Sequence, residues 1–519
     1  MTAVGPRPPD IEEIFALSEE FGLNLSADEA TSYQAVMAGA FRTYQALDAL
    51  TEPRPTVAWP RTPGYRPESG ENPFNAWYWR TEIKGNPDGP LAGEAVGVKD
   101  SIAVAGVPMA NGSRTLDGFV PDIDATVVAR LLDAGATIAG KTTASDLCGV
   151  AGGHDHPFGT VRNPHDPARS PGGSSCGSGA AIAAGDIRMA LGGDQGGSIR
   201  IPAAWCGTVG LKATFGLVPY TGCMGMETSL DHVGPMSDTV ANCARLLTAI
   251  AGPDPLDPRA AGLPADCVGD YVAAIEQDLD GLTIGVLKEG FGHTEWPTLG
   301  FGASDPVVDN RVRETVAALE SAGAKVVEVS VPEHIDTAHV LVALLEEGVC
   351  ANMLRGNAAG HGWQGFYDTR LQDTFARGWR QQAADLPPPI KTILLVGEHM
   401  HRHYHGHYYA KAQNLRPQMR AAYDRALAQC DALVMPTLPF RAPLMPAADA
   451  PIPERMTIAL NMIGNVCQAN VTGHPAISVP CAMPDGLPVG LQFMGRHFEE
   501  ATLLRLAAAV ERAGDWRAR

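Results

Sequence analysis

The stretch that decides the fold class is GGDQGGSIRIPAAWCG, which runs from Gly192 to Gly207. A β-prone run, IRMAL, leads into it, and the stretch continues through a glycine loop into an apolar, helix-like segment. A strand that passes through a glycine loop into a helix is typical of α/β proteins. Ser198 is the candidate hydroxyl nucleophile at this junction, and the local sequence offers no histidine as its base.

The same alternation extends along most of the chain from about residue 90. Short β-prone runs alternate with amphipathic segments, among them EAVGVKD, DATVVARLLDAG, ATIAGKT, GLTIGVL, VRETVAALESAGA, KVVEVSV and ALVMP. Near the C-terminus, AISVPCAM and PVGLQFMG are separated by the turn signal PDGL, which predicts an antiparallel pair. We therefore expect an α/β fold with a large mixed β-sheet covered by helices.

Two further regions are predicted to be helical. Residues 10–50 carry helix-spaced apolar residues, with a break near Gly22 and an N-cap candidate at Ser26. In the segment 332–415 the strand signals disappear, and the sequence is helix-like, aromatic and rich in histidine. The predicted organisation is listed in chain order: an N-terminal helical region at 1–75, an α/β domain made of 76–331 and 416–519, and a helical insertion at 332–415.

Composition and charge exclude several partners. The 519 residues include 39 Lys and Arg against 58 Asp and Glu, which gives a net charge of −19 and argues against nucleic acid as a partner. The N-terminal sequence MTAVGPRPPDIEE has no basic patch followed by an apolar run, and no apolar stretch is long enough to span a bilayer. We expect a cytoplasmic protein that does not bind membranes.

The cysteines favour reduced, mostly buried thiols. They occur singly, without a C-x-x-C pair that would indicate a zinc or redox site. Their positions are Cys148, Cys176, Cys206, Cys223, Cys243, Cys267, Cys350, Cys430, Cys467 and Cys481.

Two stretches match the residue patterns of known catalytic motifs but lack the secondary structure that those motifs require. GATIAGKT, from Gly135 to Thr142, fits the phosphate-loop pattern, but ATIA is β-prone and predicts a strand where a flexible loop is required. The stretch Gly173 to Gly177 fits G-x-S-x-G and would make Ser175 a nucleophile, with His232 or His474 as base. That motif needs a strand immediately before it, and RNPHDPARSPGG is typical of a loop.

Three segments indicate a function only in combination. GEAVGVKD ends in Lys99 and Asp100, SPGGSSCGSGAAIAAG begins at Ser170, and GGDQGGSIRIPAAWCG contains Ser198. In this order they resemble the amidase signature family of serine hydrolases, whose triad is Ser, Ser and Lys. The resemblance begins near residue 75, reaches the C-terminus and includes GATIAGKTT, FGTVRNP, GLKATFGLVPYTG, LDHVGPMSDTV, TGHPAISVPC, LPVGLQFMG and EEATLLRLAAAVE.

A narrower resemblance concerns one branch of that family. DQGGSIRIPAAWCG together with TFGLVPYTG is similar to the amidases that accompany nitrile hydratases in actinobacteria. Those amidases carry an additional N-terminal helical region, often a dimer contact, which matches residues 10–50 here. The resemblance therefore implies an amidase signature fold and a homodimer.

The resemblance also implies roles for individual residues. Ser198 would be the nucleophile, Ser174 the bridging serine and Lys99 the base. A lysine can act as a base only when it is neutral, which requires a site buried away from water. Lys99 would accept a proton from Ser174, which accepts one from Ser198 during attack on an amide carbonyl. When the intermediate collapses, the relay would run backwards and protonate the leaving nitrogen.

The glycine loop has its own implied function. By the resemblance, backbone N–H groups stabilise the oxyanion, and they are those of Gln195, Gly196, Gly197 and Ser198. The family also implies a cis peptide bond between Gly173 and Ser174. Asp194 and Arg200 flank the nucleophile, and we interpret them as a charge pair that fixes the loop. Asp100 is interpreted in the same way.

Two features remain open. The family often has glycine where this chain has Cys176, and a nucleophilic cysteine paired with a histidine is the alternative to a tolerated buried thiol. His399, His403 and His407 would share one face of a helix, together with His401 and His405 nearby, as a metal cluster would require. Without a matching set of carboxylates, we favour a solvated or pocket-side helix and predict no metal and no cofactor.

The expected function is hydrolysis of a small-molecule carboxamide, with anilides, carbamates and esters as further options, through an acyl-enzyme on Ser198. Pocket walls are expected from Cys148 to Phe158, Met224 to His232, the helical insertion and the stretch near Asn461, which are largely apolar and favour aliphatic or aromatic amides. The main alternative is a glutamine-dependent amidotransferase component that works with partner proteins. A non-catalytic binding module is disfavoured because Lys99, Ser174 and Ser198 are all present.

Overall fold

The computed structural model describes residues 6–149, 152–154, 156–294, 302–447 and 449–519, with the side chains of 458–461 outside the description. The chain separates into two compact units, of which one ends at Thr56 and the other is Val57–Arg519. The first unit contains two helices, α1 (Ile11–Phe21) and α2 (Ala27–Asp48). Gly22 ends α1 in the left-handed conformation and Ser26 caps α2 in a capping box, which confirms both sequence signals.

The second unit is built on one large mixed sheet. Its described strands are β1 (Trp77–Lys84), β2 (Ala95–Lys99), β3 (Thr137–Thr142), β4 (Met189–Asp194), β5 (Val209–Lys212), β6 (His232–Ser237), β7 (Thr283–Leu287), β8 (Lys325–Val329), β9 (Ala432–Pro436), β10 (Ala476–Ala482) and β11 (Val489–Gly495). Their order in the sheet is β1-β3-β2-β4-β6-β5-β10-β11-β9-β7-β8. The predicted large mixed sheet is therefore confirmed.

Parallel pairs flank a central antiparallel region of this sheet, and the edge strand β1 pairs antiparallel with β3. β2 runs parallel to both β3 and β4, and β7 runs parallel to both β8 and β9. The central strands β4, β6, β5, β10, β11 and β9 pair antiparallel with one another. The β10–β11 pair is the antiparallel pair that the PDGL turn predicts.

Helices cover the sheet. They are α3 (Thr126–Asp133), α4 (Cys176–Ala183), α5 (Arg200–Cys206), α6 (Val240–Ile250), α7 (Tyr271–Ala274), α8 (Pro306–Ser321), α9 (His334–Val349), α10 (Thr369–Gln381), α11 (Pro388–Tyr404), α12 (His407–Leu427), α13 (Ile452–Leu460), α14 (Cys467–Thr472) and α15 (Glu500–Arg512). A π-helix, Cys350–Arg355, continues α9. In the described chain no strand lies between Val329 and Ala432, which agrees with the predicted helical segment.

The core alternates across the strands as a pleated sheet requires. Val96, Val98 and Leu191 belong to a large cluster that includes residues of α3, α6 and α15. Ala190, which lies between Met189 and Leu191, belongs to a second cluster with residues of α4. Helix α4 is made of small residues, CGSGAAIA, so it can approach the sheet closely. This close approach brings the loop before α4 next to the end of β2.

Candidate active site

The ends of two neighbouring parallel strands create the site. β2 ends at Lys99 and β4 ends at Asp194, and the two strands pair in parallel through Val98 and Leu191. Because parallel neighbours end at the same edge of a sheet, the loops that follow them meet there. The loop that precedes α4 completes the site, so three segments distant in sequence converge.

Lys99 and Ser174 are in direct contact. The Lys99 side chain is fully buried, and its Nζ donates to Ser174 Oγ at 2.8 Å and to Gly193 O at 3.2 Å. Ser174 is itself fully buried. The peptide bond between Gly173 and Ser174 is cis, which confirms that prediction.

Ser198 lies against the same loop. Its carbonyl oxygen accepts a hydrogen bond from Ser175 N at 3.2 Å, so the two segments are joined at this point. Ser198 is 8% exposed, whereas Lys99 and Ser174 are both 0% exposed, so Ser198 is the least buried of the three. Within the described residues, the Ser198 hydroxyl makes no hydrogen bond to the protein, and this includes the Ser174 hydroxyl.

Glycine is required in the loop that carries Ser198. Gly197 has a φ of +121°, and a Cβ at this position would lie 2.3 Å from Val466 Cγ2. A Cβ at Gly196 would lie 3.3 Å from Leu341 Cδ2. A larger residue at Gly197 would therefore displace the loop that leads into α5.

The buried carboxylate of Asp194 holds the loop that carries Ser198. Asp194 accepts hydrogen bonds from Gly197 N at 2.8 Å and Ile199 N at 3.2 Å, and it pairs with Arg200 at 3.0 Å. Burial raises the pKa of Asp194, but the Arg200 charge, the hydrogen bonds from Arg200 and Asn470, and the Lys212 charge bring it below the usual range. Asp194 is therefore an ionised structural anchor.

Two anchors from the distant C-terminal part extend this network. Asn470, in α14, donates to Asp194 Oδ1 at 2.9 Å and accepts from Arg200 Nη2 at 2.8 Å. Gln492, in β11, accepts from Arg200 Nη1 at 2.9 Å. Sequence reasoning missed both residues, because no local motif links a position in β11 to a loop about 290 residues earlier. The polar residue inside the apolar strand PVGLQFMG was the available signal.

A second buried lysine lies beside the first. Lys141, in β3, pairs with Asp100 at 3.1 Å, and both side chains are fully buried. Asp100 also accepts from Ala110 N at 3.0 Å and Gly112 N at 3.4 Å, so it orders the loop after β2. Burial raises the pKa of Asp100 and lowers that of Lys141, and their ion pair opposes both shifts.

The competing motifs have structural roles instead. The false phosphate loop is strand β3, as its apolar sequence predicts. Ser175 Oγ donates to Gly193 O and accepts from Gly193 N, both at 3.1 Å, and the side chain is fully buried. Neither proposed base is available to it: His232 contacts Lys212, and His474 contacts Asp424. Ser175 joins the loop before α4 to β4.

Comparison with known proteins matches this architecture. A family profile described as amidase matches residues 75–504. The chain belongs to the amidase signature family. It is 41% identical to an enantioselective amidase of Rhodococcus rhodochrous over 519 residues, which covers 98% of this chain and 96% of that protein. It is 40% identical to a glutamyl-tRNA(Gln) amidotransferase subunit of Halobacterium salinarum over 441 residues, or 84% and 99% of the two chains.

A solved structure supports the same fold. The peptide amidase of Stenotrophomonas maltophilia superposes with a TM-score of 0.67 at 33% identity, covering 82% of this chain and 83% of that one. The expected amidase signature fold is therefore confirmed, and the chain is an enzyme of a hydrolase family.

Cys176 of this amidase-family chain is a buried thiol. Its Sγ donates to Thr143 O at 3.4 Å, and the side chain is fully buried. Burial raises the pKa of Cys176 to about 11, so the thiolate needed for nucleophilic attack is disfavoured.

The histidine cluster does not share one helix face, so that expectation was wrong. Helix α11 ends at Tyr404, and His405 and Gly406 both adopt left-handed conformations, with φ of +57° and +75°. His407 therefore begins a different helix, α12. His399 and His403 remain together, with ring centroids 4.6 Å apart.

A metal-ligand geometry occurs elsewhere. Among the described residues, Asp424, His474 and His497 place ligand atoms within 4.8 Å of one another. Arg420 donates to His497, and His474 is hydrogen-bonded to Asp424 at 3.0 Å and Thr472 at 2.8 Å. A cation would have to displace the Arg420 guanidinium, so this group is better suited to holding α12 against the loop before β10.

An aromatic cavity adjoins the site. Its lining includes Phe119, Tyr220, Trp363, Phe366 and Leu371. Tyr220 links the cavity to the Ser198 loop, because its hydroxyl accepts from Gln195 Nε2 at 3.3 Å. The pocket-wall prediction for 148–158 includes 150, 151 and 155, which lie outside the described residues, as does the Asn461 side chain.

One helical segment has the composition of a membrane span. Among the described residues, His334–Arg355 is long and apolar enough to cross a bilayer, but most of it is buried inside the protein. Core helices of soluble proteins share this length and composition, so the segment is weak evidence for a membrane span.

Proposed function

We propose that this protein hydrolyses carboxamides to a carboxylic acid and ammonia or an amine. The observation that carries the proposal is the buried Lys99 Nζ to Ser174 Oγ hydrogen bond of 2.8 Å, next to the loop that carries the less buried Ser198. A base, a bridging hydroxyl and a reachable hydroxyl are the groups that an acyl-enzyme mechanism needs. The matching order of the family motifs supports the same assignment.

The proposed reaction has two halves. Ser174 accepts the Ser198 proton and passes its own to the Lys99 amine, while Ser198 Oγ bonds to the amide carbon. The C–N bond then breaks, the relay returns the proton to the leaving nitrogen, and an acyl ester remains on Ser198. Water attacks this ester by the same relay, which releases the acid and restores Ser198.

The loop supplies the electrostatic part of the proposal. Backbone N–H groups of Gln195, Gly196 and Ser198 stabilise the oxyanion in the transition state. Gly197, which the family resemblance also implies as a donor, has its N–H bonded to Asp194 Oδ1 at 2.8 Å, so we leave it out of the donor set. Removing one such donor raises a barrier by about 2.7–4 kcal/mol in comparable enzymes. The Asp194–Arg200 pair keeps these groups in place, since Asp194 binds the N–H groups of Gly197 and Ile199.

The cavity supports an apolar substrate. Its aromatic side chains, among them Phe119, Trp363 and Phe366, bind a hydrocarbon or aromatic group better than a charged one. We therefore propose aliphatic or aromatic amides as substrates. We also propose that this protein is specifically similar to the amidases that accompany nitrile hydratases.

A glutamine-dependent amidotransferase component is the second candidate, because one relative described as an amidotransferase subunit is 40% identical over 84% of the chain. The match to the enantioselective amidase covers 98% of the chain, and it therefore reaches the N-terminal helices. This coverage favours a self-sufficient amidase that does not need partner proteins.

We also propose that residues 1–75 form a region that joins two copies in a homodimer. In α1 and α2, Phe21 is 67% exposed and Val36 is 73% exposed, which is unusual for large apolar side chains. Sedimentation analysis of the wild type and of Val36→Asp tests this: a dimer that becomes a monomer supports it, and a wild-type monomer contradicts it.

The function is tested by ammonia release from a panel that contains acetamide, benzamide, phenylacetamide and glutamine. Wild-type turnover of the simple amides, lost in Ser198→Ala, supports the amidase. Turnover of glutamine alone, together with co-purifying partner proteins, would support the amidotransferase. Equal turnover by wild type and Ser198→Ala would overturn both.

A further inference from the structure

The side chain of Gln195 is buried and oriented by a neighbour. It is 4% exposed, and its Nε2 donates to the Tyr220 hydroxyl at 3.3 Å. That hydroxyl donates its own hydrogen to Met224 O at 3.1 Å, so it can only accept from Gln195. Burial raises the pKa of Tyr220 well above its ordinary value, which keeps the phenol protonated. The amide of Gln195 is therefore held in one orientation.

This orientation leaves one acceptor unused. Among the described residues, no donor lies within hydrogen-bonding distance of Gln195 Oε1, although the atom is buried. An unpaired buried acceptor is unfavourable and calls for an explanation in a native site. A carbonyl oxygen fixed in this way is matched by an N–H or O–H group of a ligand.

The Gln195 side-chain amide lies on the side of the site that holds Lys99. A Cβ built on Gly193 would lie 3.4 Å from Lys99 Nζ and 3.5 Å from Gln195 Nε2. The Lys99 amine and the Gln195 amide therefore flank the same point of β4. Since Ser174 bonds Lys99 at 2.8 Å, a leaving nitrogen that receives the relayed proton lies close to this amide.

We propose that Gln195 Oε1 accepts a hydrogen bond from the N–H of the leaving carboxamide nitrogen and thereby selects amides over esters. The substrate carbonyl oxygen is an acceptor and cannot satisfy Gln195 Oε1, whereas an amide nitrogen carries the matching donor. The leaving oxygen of an ester carries no hydrogen. This inference rests on the proposed amide hydrolysis and adds to it a specificity-determining side chain, distinct from the backbone N–H of the same residue.

The test compares one acyl group with two leaving groups. The amide from the substrate panel that the wild type turns over fastest and the methyl ester of the same acid are assayed by kcat/KM, which reports the acylation half of each reaction. Gln195→Met keeps the length of the side chain and removes the acceptor. The ratio of amide to ester kcat/KM is expected to fall about tenfold.

Tyr220→Phe is the second variant. It removes the hydroxyl that orients Gln195 and leaves the Gln195 side chain in place, so the ratio is expected to fall in the same direction by a smaller factor. This variant also decides the matter if Gln195→Met does not fold. The folded state of each variant is checked by its thermal midpoint.

The outcomes separate this inference from the proposed function. Ser198-dependent turnover by the wild type establishes the function before any variant is compared. An amide-selective loss in Gln195→Met supports the role of Oε1. An unchanged ratio, whether both rates fall together or neither falls, would overturn it, because a side chain that only packs the loop affects both substrates equally.

Discussion

Two buried lysines on neighbouring strands face different partners. Lys99, at the end of β2, donates to the Ser174 hydroxyl and to the Gly193 carbonyl. Lys141, in β3, pairs with the Asp100 carboxylate at 3.1 Å. Both side chains are 0% exposed, so burial alone does not distinguish them. A carboxylate partner favours the ammonium form of Lys141, so we assign it a structural role, and the proposed function gives the role of base to Lys99.

Removing Lys99 gives the largest expected effect. In Lys99→Met, kcat/KM for the best amide falls about 10³-fold, because no other group accepts the proton from Ser174. The assay is ammonia release under conditions in which the variant remains folded by circular dichroism. Retention of more than a tenth of the wild-type kcat/KM would show that Lys99 is not the base.

Removing Lys141 has a different consequence. Lys141→Met leaves Asp100 buried without its ion-pair partner, so the free energy of unfolding falls by about 3–5 kcal/mol. Urea denaturation measures this loss. The double variant Asp100→Asn with Lys141→Met recovers most of the stability, since neither position then carries a buried charge. A loss below about 1 kcal/mol in the single variant would contradict the structural role.

A smaller effect is expected at the distant anchor. Gln492→Leu removes the acceptor that binds Arg200 Nη1 at 2.9 Å, and the unpaired buried donor costs about 1–3 kcal/mol of stability. Because Arg200 supports Asp194, and Asp194 holds Gly197, kcat/KM falls several-fold with little change in KM. Thermal unfolding and steady-state kinetics check the two effects. An unchanged kcat would show that this hydrogen-bond network does not hold the Ser198 loop in its active position.

The smallest effect is expected at Cys176. Cys176→Ala retains kcat/KM within about twofold, because a buried thiol that bonds a backbone carbonyl is chemically inert. The same amide assay measures it, with Ser198→Ala as the inactive reference. A loss that approaches that reference would instead make Cys176 the nucleophile.

The sequence predicts the parts of the site that lie in local patterns. The β-prone runs predict β2, β3 and β4, and the glycine stretches predict the loops before α4 and α5. The Lys99 to Ser174 contact was expected only through the family resemblance, since their strands and loops must first be brought to one sheet edge.

Other parts depend on tertiary register. The Lys141 to Asp100 pair requires β3 to lie beside β2, and the Gln492 to Arg200 bond requires β11 and α5 to meet, so neither follows from local sequence. The helix break before His407 carried a local signal, because Gly406 is a common helix terminator. This glycine signal is stronger evidence for a helix end than the four-residue spacing of the histidines is for one continuous helix.

The most direct test of the central claim is the position at which a fluorophosphonate labels the protein, mapped by peptide mass analysis. The account predicts one adduct on Ser198 in the wild type and in Lys141→Met, with labelling greatly slowed in Lys99→Met. An adduct on Ser175 or Cys176, or equal labelling rates in Lys99→Met and the wild type, would contradict the account.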